Sequence, residues 1–167
     1  AEPSIVNPLK GQIRFHRDDN GAYDGGFDIR ALAVITGEDF TATFKDEAAA
    51  ESMIKEAGFV FAAGSNVAAP SMADVKALVE NGTAAAGYEK KTVGFISKST
   101  QPGDYVFSCI VTGMSADADY ENSLVAVGYI KYEKDGETKY STDIVAEKYY
   151  QPKLATKIKT QALGHYP

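Results

Sequence analysis

The feature that most restricts this chain is an aspartate-glycine pair set between two alternating, tyrosine-bearing runs. Lys134-Asp135-Gly136 separates Leu124 to Glu133 from Thr138 to Thr142. A tight reversal of this kind needs positive φ at its central residues, which aspartate tolerates and glycine adopts freely, so the two runs are expected to pair as a β-hairpin. Elsewhere the same two-residue period recurs. In Tyr105 to Thr112, Tyr105, Phe107, Cys109 and Val111 alternate with Val106 and Ile110, the pattern of a central strand buried on both faces. In Phe27 to Ile35, Phe27, Ile29, Ala31, Ala33 and Ile35 share one face. Asp28 and Arg30 on the other face give way to Leu32 and Val34, so this strand should begin half exposed and end buried on both sides.

Shorter extended runs are Gly11 to Phe15, Phe59 to Ala63 and Tyr88 to Ser97, and the polar, glycine-bearing stretch from Arg17 to Gly26 reads as a loop. Two segments have helical spacing. Asp46 is placed to cap a helix in which Ala50, Met53, Ile54 and Ala57 recur at three- and four-residue intervals before Gly58 ends it. Ser71 and Asp74 have the spacing of a capping box ahead of Val75, Leu78 and Val79, with Asn81-Gly82 as the stop. From Ile144 to Leu163 the chain is expected to be helical in pieces around Pro152. The fold class that follows is mainly β: a two-sheet antiparallel β-sandwich, immunoglobulin-like, with two or three short helices in connections and at the C-terminus.

Composition sets the functional limits. At 167 residues, one domain spanning residues 1–167 is expected, burying roughly 70% of the surface its unfolded chain exposes. Seventeen basic against 23 acidic residues leave a net charge of −6, which argues against nucleic acid as a partner. Four lysines and no acids fall between Lys148 and Pro167, so a basic C-terminal segment from about residue 148 follows a strongly acidic body, suited to lie on it or to join a neighbouring domain of a longer chain. No apolar run approaches the roughly 20 residues that span a bilayer as a helix. The chain begins Ala1-Glu2-Pro3, as a mature chain after signal cleavage or an internal segment would.

Catalytic chemistry has little to stand on. One cysteine and two histidines cannot build a cysteine-rich zinc site or an internal disulfide. Cys109 alternates with core residues and reads as a small hydrophobe, while His16 and His165 are expected at the surface. Ser52-Met53-Ile54-Lys55 has the spacing of a lysine-activated serine, and Lys91-Thr92-Val93-Gly94 loosely matches its companion element. Ser52 nevertheless falls mid-helix, so the motif reads as a solvated helix face. Two oxygen-rich segments, one with Asp18, Asp19, Asn20 and Asp24 and the other with Asp117, Asp119 and Glu121, are candidates for a structural calcium ion or for solvated turns. No other cofactor is expected. Ten tyrosines and no tryptophan make tyrosine the enriched ring, and Tyr23, Tyr88, Tyr120, Tyr149 and Tyr150 are the candidate ligand-stacking residues.

The runs Gly11-Gln12-Ile13-Arg14-Phe15, Phe27-Asp28-Ile29-Arg30-Ala31, Gly58-Phe59-Val60-Phe61-Ala62, Asp104-Tyr105-Val106-Phe107-Ser108 and Val127-Gly128-Tyr129-Ile130-Lys131-Tyr132, followed by Asp135-Gly136 and Tyr140-Ser141, carry a resemblance. Over residues 11–150 their order resembles β-sandwich accessory modules of large secreted, dockerin-bearing or wall-attached proteins of anaerobic gut Firmicutes. Those modules often place an arginine where this chain has Gly128. The resemblance implies an extracellular or cell-surface setting and transfers no catalytic residue. The function expected is a non-catalytic module acting in adhesion, spacing or binding of a polysaccharide or surface protein. The alternative is a small carbohydrate-active enzyme or small-molecule carrier with a tyrosine-lined pocket.

Overall fold

A computed structural model describes residues 5–6, 12–64, 68, 70–82, 87–94, 96–98, 103–115, 123–142 and 149–151. Ten strands and three helices occur among them: β1 (Ile5–Val6), β2 (Gln12–Arg17), β3 (Tyr23–Ile35), α1 (Gly37–Phe44), α2 (Glu47–Met53), β4 (Ile54–Gly64), α3 (Met72–Asn81), β5 (Glu89–Val93), β6 (Ser97–Lys98), β7 (Tyr105–Ser115), β8 (Ser123–Lys134), β9 (Glu137–Thr142) and β10 (Tyr149–Gln151). The fold is mainly β. All pairings are antiparallel and make two sheets. In the first, β1 and β2 share one side of β3, β7 lies on the other side, and β6 flanks β7. In the second, β9 and β10 share one side of β8, followed by β4 and then β5.

One hydrophobic cluster draws on both sheets. Phe27, Ala31, Ala33 and Ile35 of β3 and Phe107, Cys109 and Val111 of β7 meet Phe59 of β4 and Ile130 and Tyr132 of β8. The Phe59 and Phe107 rings stand 5.3 Å apart between centroids. Phe40 and Phe44 of α1 close one end of this core, with Phe44 edge-on to Tyr132 at 5.4 Å. On its other face the second sheet carries α3, whose Val75 and Leu78 cover Val60 and Tyr129.

The local signals explain several elements. Lys134 pairs with Glu137, leaving Asp135 (φ 54°) and Gly136 (φ 75°) as a two-residue turn, the type I′ geometry that matches strand twist. The capping box forms as expected: the Ser71 hydroxyl accepts from Asp74 N, the Asp74 carboxylate accepts from Ser71 N, and Gly82 closes α3 in the left-handed conformation.

Other expectations need correction. The helix opened by Asp46 ends at Met53, and Ile54 to Ala57 belong to β4. From Ala57 to Phe61, β4 has strand neighbours on both sides, so hydrogen bonding across the sheet overrides a helical spacing that Ala57 also satisfies as an inward strand residue. The loop expected from Arg17 to Gly26 shrinks to Asp18–Ala22, with β3 starting at Tyr23. Tyr88 to Ser97 is two strands in different sheets, broken at Gly94. Asp28 is buried, and His16, whose side chain is 42% exposed at the surface as expected, sets its Nε2 2.9 Å from Asp28 Oδ2. Leu32 and Val34 are half-buried, and Ile110 is 38% exposed, so neither β3 nor β7 is covered on both faces throughout. Tyr149–Gln151 is a strand, and the remainder of the expected C-terminal helical region lies outside the described residues. Among the described residues, no helix is long and apolar enough to cross a membrane.

Candidate functional site

The helix α1 was not anticipated, although Thr36 and Asp39 have capping spacing and Phe40 and Phe44 stand one turn apart. The Thr36 hydroxyl accepts from Asp39 N at 3.3 Å, and Asp104, just ahead of β7, accepts from Gly37 N at 3.0 Å. Gly37 is required here because a Cβ would collide with the Gly103 carbonyl. This close approach brings α1 against the start of β7. Phe40 stacks on Tyr105 with centroids 3.6 Å apart and planes 13° from parallel. The Tyr105 hydroxyl donates to Glu47 Oε1 at 3.1 Å. Its ring is therefore held at one face by an aromatic partner and at its tip by a carboxylate, which fixes its orientation in advance of any ligand.

Tyr105, Phe40 and Glu47 belong to the wall of a half-open cleft of about 500 Å³. Ala50 and Glu51 of α2, Ile54 and Lys55 of β4, and Gly94 and Ile96 of the β5–β6 connection complete most of the lining. The turn joining α1 to α2 is strained: Lys45 has φ 76° and ψ −58°, a region L-residues rarely adopt. Asp46 then caps α2 by accepting from Ala49 N at 2.8 Å, which turns Glu47 and Glu51 toward the cleft.

Glu56 lines the same cleft and anchors a polar network in the second sheet. It accepts from the buried Tyr129 hydroxyl at 2.5 Å and from Lys90 Nζ at 3.1 Å. Tyr140 donates in the same manner to Glu80 at 2.7 Å, with Lys76 5.4 Å above its ring. Burial, then hydrogen bonding to Glu56, then the Glu56 charge and the neighbouring Tyr140 push the Tyr129 hydroxyl far above the ordinary tyrosine range. Tyr140 is raised likewise by burial and by its hydrogen bond to Glu80. These hydroxyls act as fixed donors.

The sequence-derived candidates are dispersed. Tyr23 is in β3 opposite Arg17, with Asp24 next to it, while Tyr149 and Tyr150 are in β10 on the edge of the other sheet. Tyr88 precedes β5, where its hydroxyl donates to Ala68 O at 2.7 Å, and it lines a second, shallower groove of about 610 Å³. Burial and then the charge of Asp74 raise its pKa. Tyr120, Asp117, Asp119 and Glu121 lie outside the described residues. Asp18, Asp19 and Asn20 sit in the exposed β2–β3 turn, and Asp18 Oδ1 accepts from both Asn20 N and Ala22 N at 2.9 Å, so its carboxylate closes the turn. Among the described residues no group of three or more His, Cys, Asp or Glu side chains is placed to hold a metal ion.

Lys55 Nζ donates to the backbone oxygen of Ser52 at 2.9 Å, which gives the serine hydroxyl no base from this lysine. Cys109 is buried, and burial raises its thiol pKa to about 11 despite the opposing Lys91 charge, as suits the inert hydrophobe its alternation indicated. Tyr105, Phe40, Glu47 and Glu51 were missed because their proximity depends on the α1–β7 approach. Comparison with protein-family models, curated proteins and solved structures finds no match to this chain.

Proposed function

We propose that this chain is a non-catalytic module of a secreted or cell-surface protein that binds a saccharide chain in the Phe40–Tyr105 cleft. The carrying observation is the pre-oriented Tyr105 ring, backed by Phe40 and tethered by Glu47, at the wall of an open cleft. Aromatic surface suits the apolar face of a sugar ring, and the carboxylates of Glu47 and Glu51 suit its hydroxyl groups as acceptors. The extracellular setting follows the resemblance of the strand segments.

We read the two sheets as an immunoglobulin-like β-sandwich. With β1 and β2 as strand A and β9 and β10 as strand G, the sheets run A-B-E-D and G-F-C-C′, the order of that architecture. In such sandwiches binding loops gather at the strand ends. Here α1 and α2 of the β3–β4 connection, the β5–β6 connection and the first residue of β7 meet at the cleft.

A small carbohydrate-active enzyme or small-molecule carrier is the second reading, favoured by three glutamates on one cleft. Against it, Glu47 and Glu56 are engaged with Tyr105, Tyr129 and Lys90. The test is retardation in native gels cast with plant and host polysaccharides, run with calcium and with a chelator. Retardation by one polymer, abolished by Tyr105→Ala and without release of reducing sugar, supports the proposal. Migration unaffected by every polymer, or retardation that Tyr105→Ala leaves intact, rejects it; reducing-sugar release moves the assignment to the enzyme.

A further inference from the structure

The edge of β7 offers a second surface, independent of the cleft. The short β6 covers β7 only at Tyr105 and Val106, and among the described residues no strand pairs with β7 on that side from Phe107 to Ser115. The Ile110 carbonyl points out of the sheet there, since it accepts from Lys91 Nζ of β5. Backbone N–H and C=O of one residue leave an antiparallel strand on the same side, so Ser108 and Ile110 direct both groups to this edge. Beside it lies the groove of about 610 Å³, walled by Phe61, Leu78, Tyr88, Lys91 and Val111, with Ile110 the exposed large hydrophobe among the described residues.

From these observations we infer that the β7 edge is a strand-addition site for an extended peptide segment that alternates acidic and apolar residues. Strand addition takes affinity from main-chain hydrogen bonds and specificity from alternate side chains. One set of partner side chains would enter the groove over Phe61 and Val111. The other would lie outside beside Ile110 and the exposed Arg30, its direct cross-strand neighbour. Lys91 sets the charge preference. On binding, its ammonium leaves the Ile110 carbonyl for a partner carboxylate, and a partner N–H takes its place on that carbonyl. Glu89 is the acid on the groove, and Lys90 already pairs with Glu56. Two β7 edges joined at Ile110 would bring the two Lys91 ammonium groups together, which disfavours self-pairing.

The test is fluorescence anisotropy with labelled Glu-Val-Glu-Val-Glu, its Lys-Val-Lys-Val-Lys counterpart, and a Glu-Val peptide N-methylated at alternate amides. Saturable binding of the first at least tenfold tighter than the second, lost on N-methylation, is expected. Lys91→Glu should reverse the charge preference while leaving the thermal melt intact; Arg30→Glu serves if Lys91→Glu does not fold, and should reduce the preference. Equal binding of the two peptides, binding that survives N-methylation, no binding at millimolar peptide, or dimerisation blocked by Lys91→Glu would overturn the inference.

Discussion

Substituting Gly58 with alanine tests the packing between β4, β5 and β8. Gly58 is buried in β4, with Thr92 of β5 on one side and Tyr129 of β8 on the other. A Cβ there falls closer to the Lys91 carbonyl than van der Waals contact permits, 3.0 Å from Thr92 Cα and 3.0 Å from the Tyr129 hydroxyl. Two of these obstacles are backbone and cannot rotate away, so β5 shifts, or Tyr129 withdraws from Glu56, or both. Overpacking of this kind costs about 1–3 kcal/mol. A lost hydrogen bond to a charged group adds about 1.5–3 kcal/mol, so the expected destabilisation is about 3–5 kcal/mol. Urea unfolding followed by far-ultraviolet circular dichroism, for wild type, Gly58→Ala, Tyr129→Phe and the double variant, separates the two parts. Because the hydroxyl is both obstacle and donor, the double variant should lose about 1–2 kcal/mol less than the two single losses combined. A Gly58→Ala loss below about 1 kcal/mol, or strict additivity, would show that the Gly58 site accepts a methyl group without displacing β5 or Tyr129.

Three further outcomes are expected. Lys45→Gly relieves the positive-φ turn between α1 and α2 and should raise stability by about 1 kcal/mol in the same urea titration. Ser71→Ala removes the α3 capping box and should cost about 1 kcal/mol, with Ser71→Thr, which keeps the hydroxyl, restoring most of it. The Cys109 thiol ionises near pH 11 in the fold against about 9 ordinarily, so the unfolded chain loses its proton first. Its contribution to stability is therefore complete below pH 9 and falls between pH 9 and 11; melting temperatures across that range should fall less steeply in Cys109→Ala than in the native chain, with the raised Tyr129 and Tyr140 adding their own decline at higher pH.

Features written over a few residues were legible in the sequence. Asp135-Gly136 and the Ser71–Asp74 box each state their geometry locally, and the alternation of Phe107, Cys109 and Val111 correctly placed them in the core. Features that depend on distant partners were not. Ala50, Met53, Ile54 and Ala57 carry a helical spacing, yet the β5 and β8 neighbours of β4 decide where the helix stops. The tyrosine enrichment suggested exposed rings, whereas Tyr105, Tyr129 and Tyr140 send their hydroxyls to Glu47, Glu56 and Glu80, far away in the chain. Nothing in the order of residues announces those pairs, because each is made by strand register and helix docking. The cleft was hidden for the same reason: its tyrosine and its two α2 glutamates are brought together only when Gly37 and Gly103 meet.

We propose that the Phe40–Tyr105 cleft binds saccharide without turning it over. Amide chemical-shift mapping of the ¹⁵N-labelled chain, titrated with oligosaccharides cut from whichever polymer retards it and followed for product in the same tube, tests this most directly. Saturable shifts concentrated at Phe40, Glu47, Glu51, Gly94 and Tyr105, absent in Tyr105→Ala, are expected, with the oligosaccharide unchanged. Shifts centred elsewhere, no saturation, or cleavage of the added sugar would contradict the proposal.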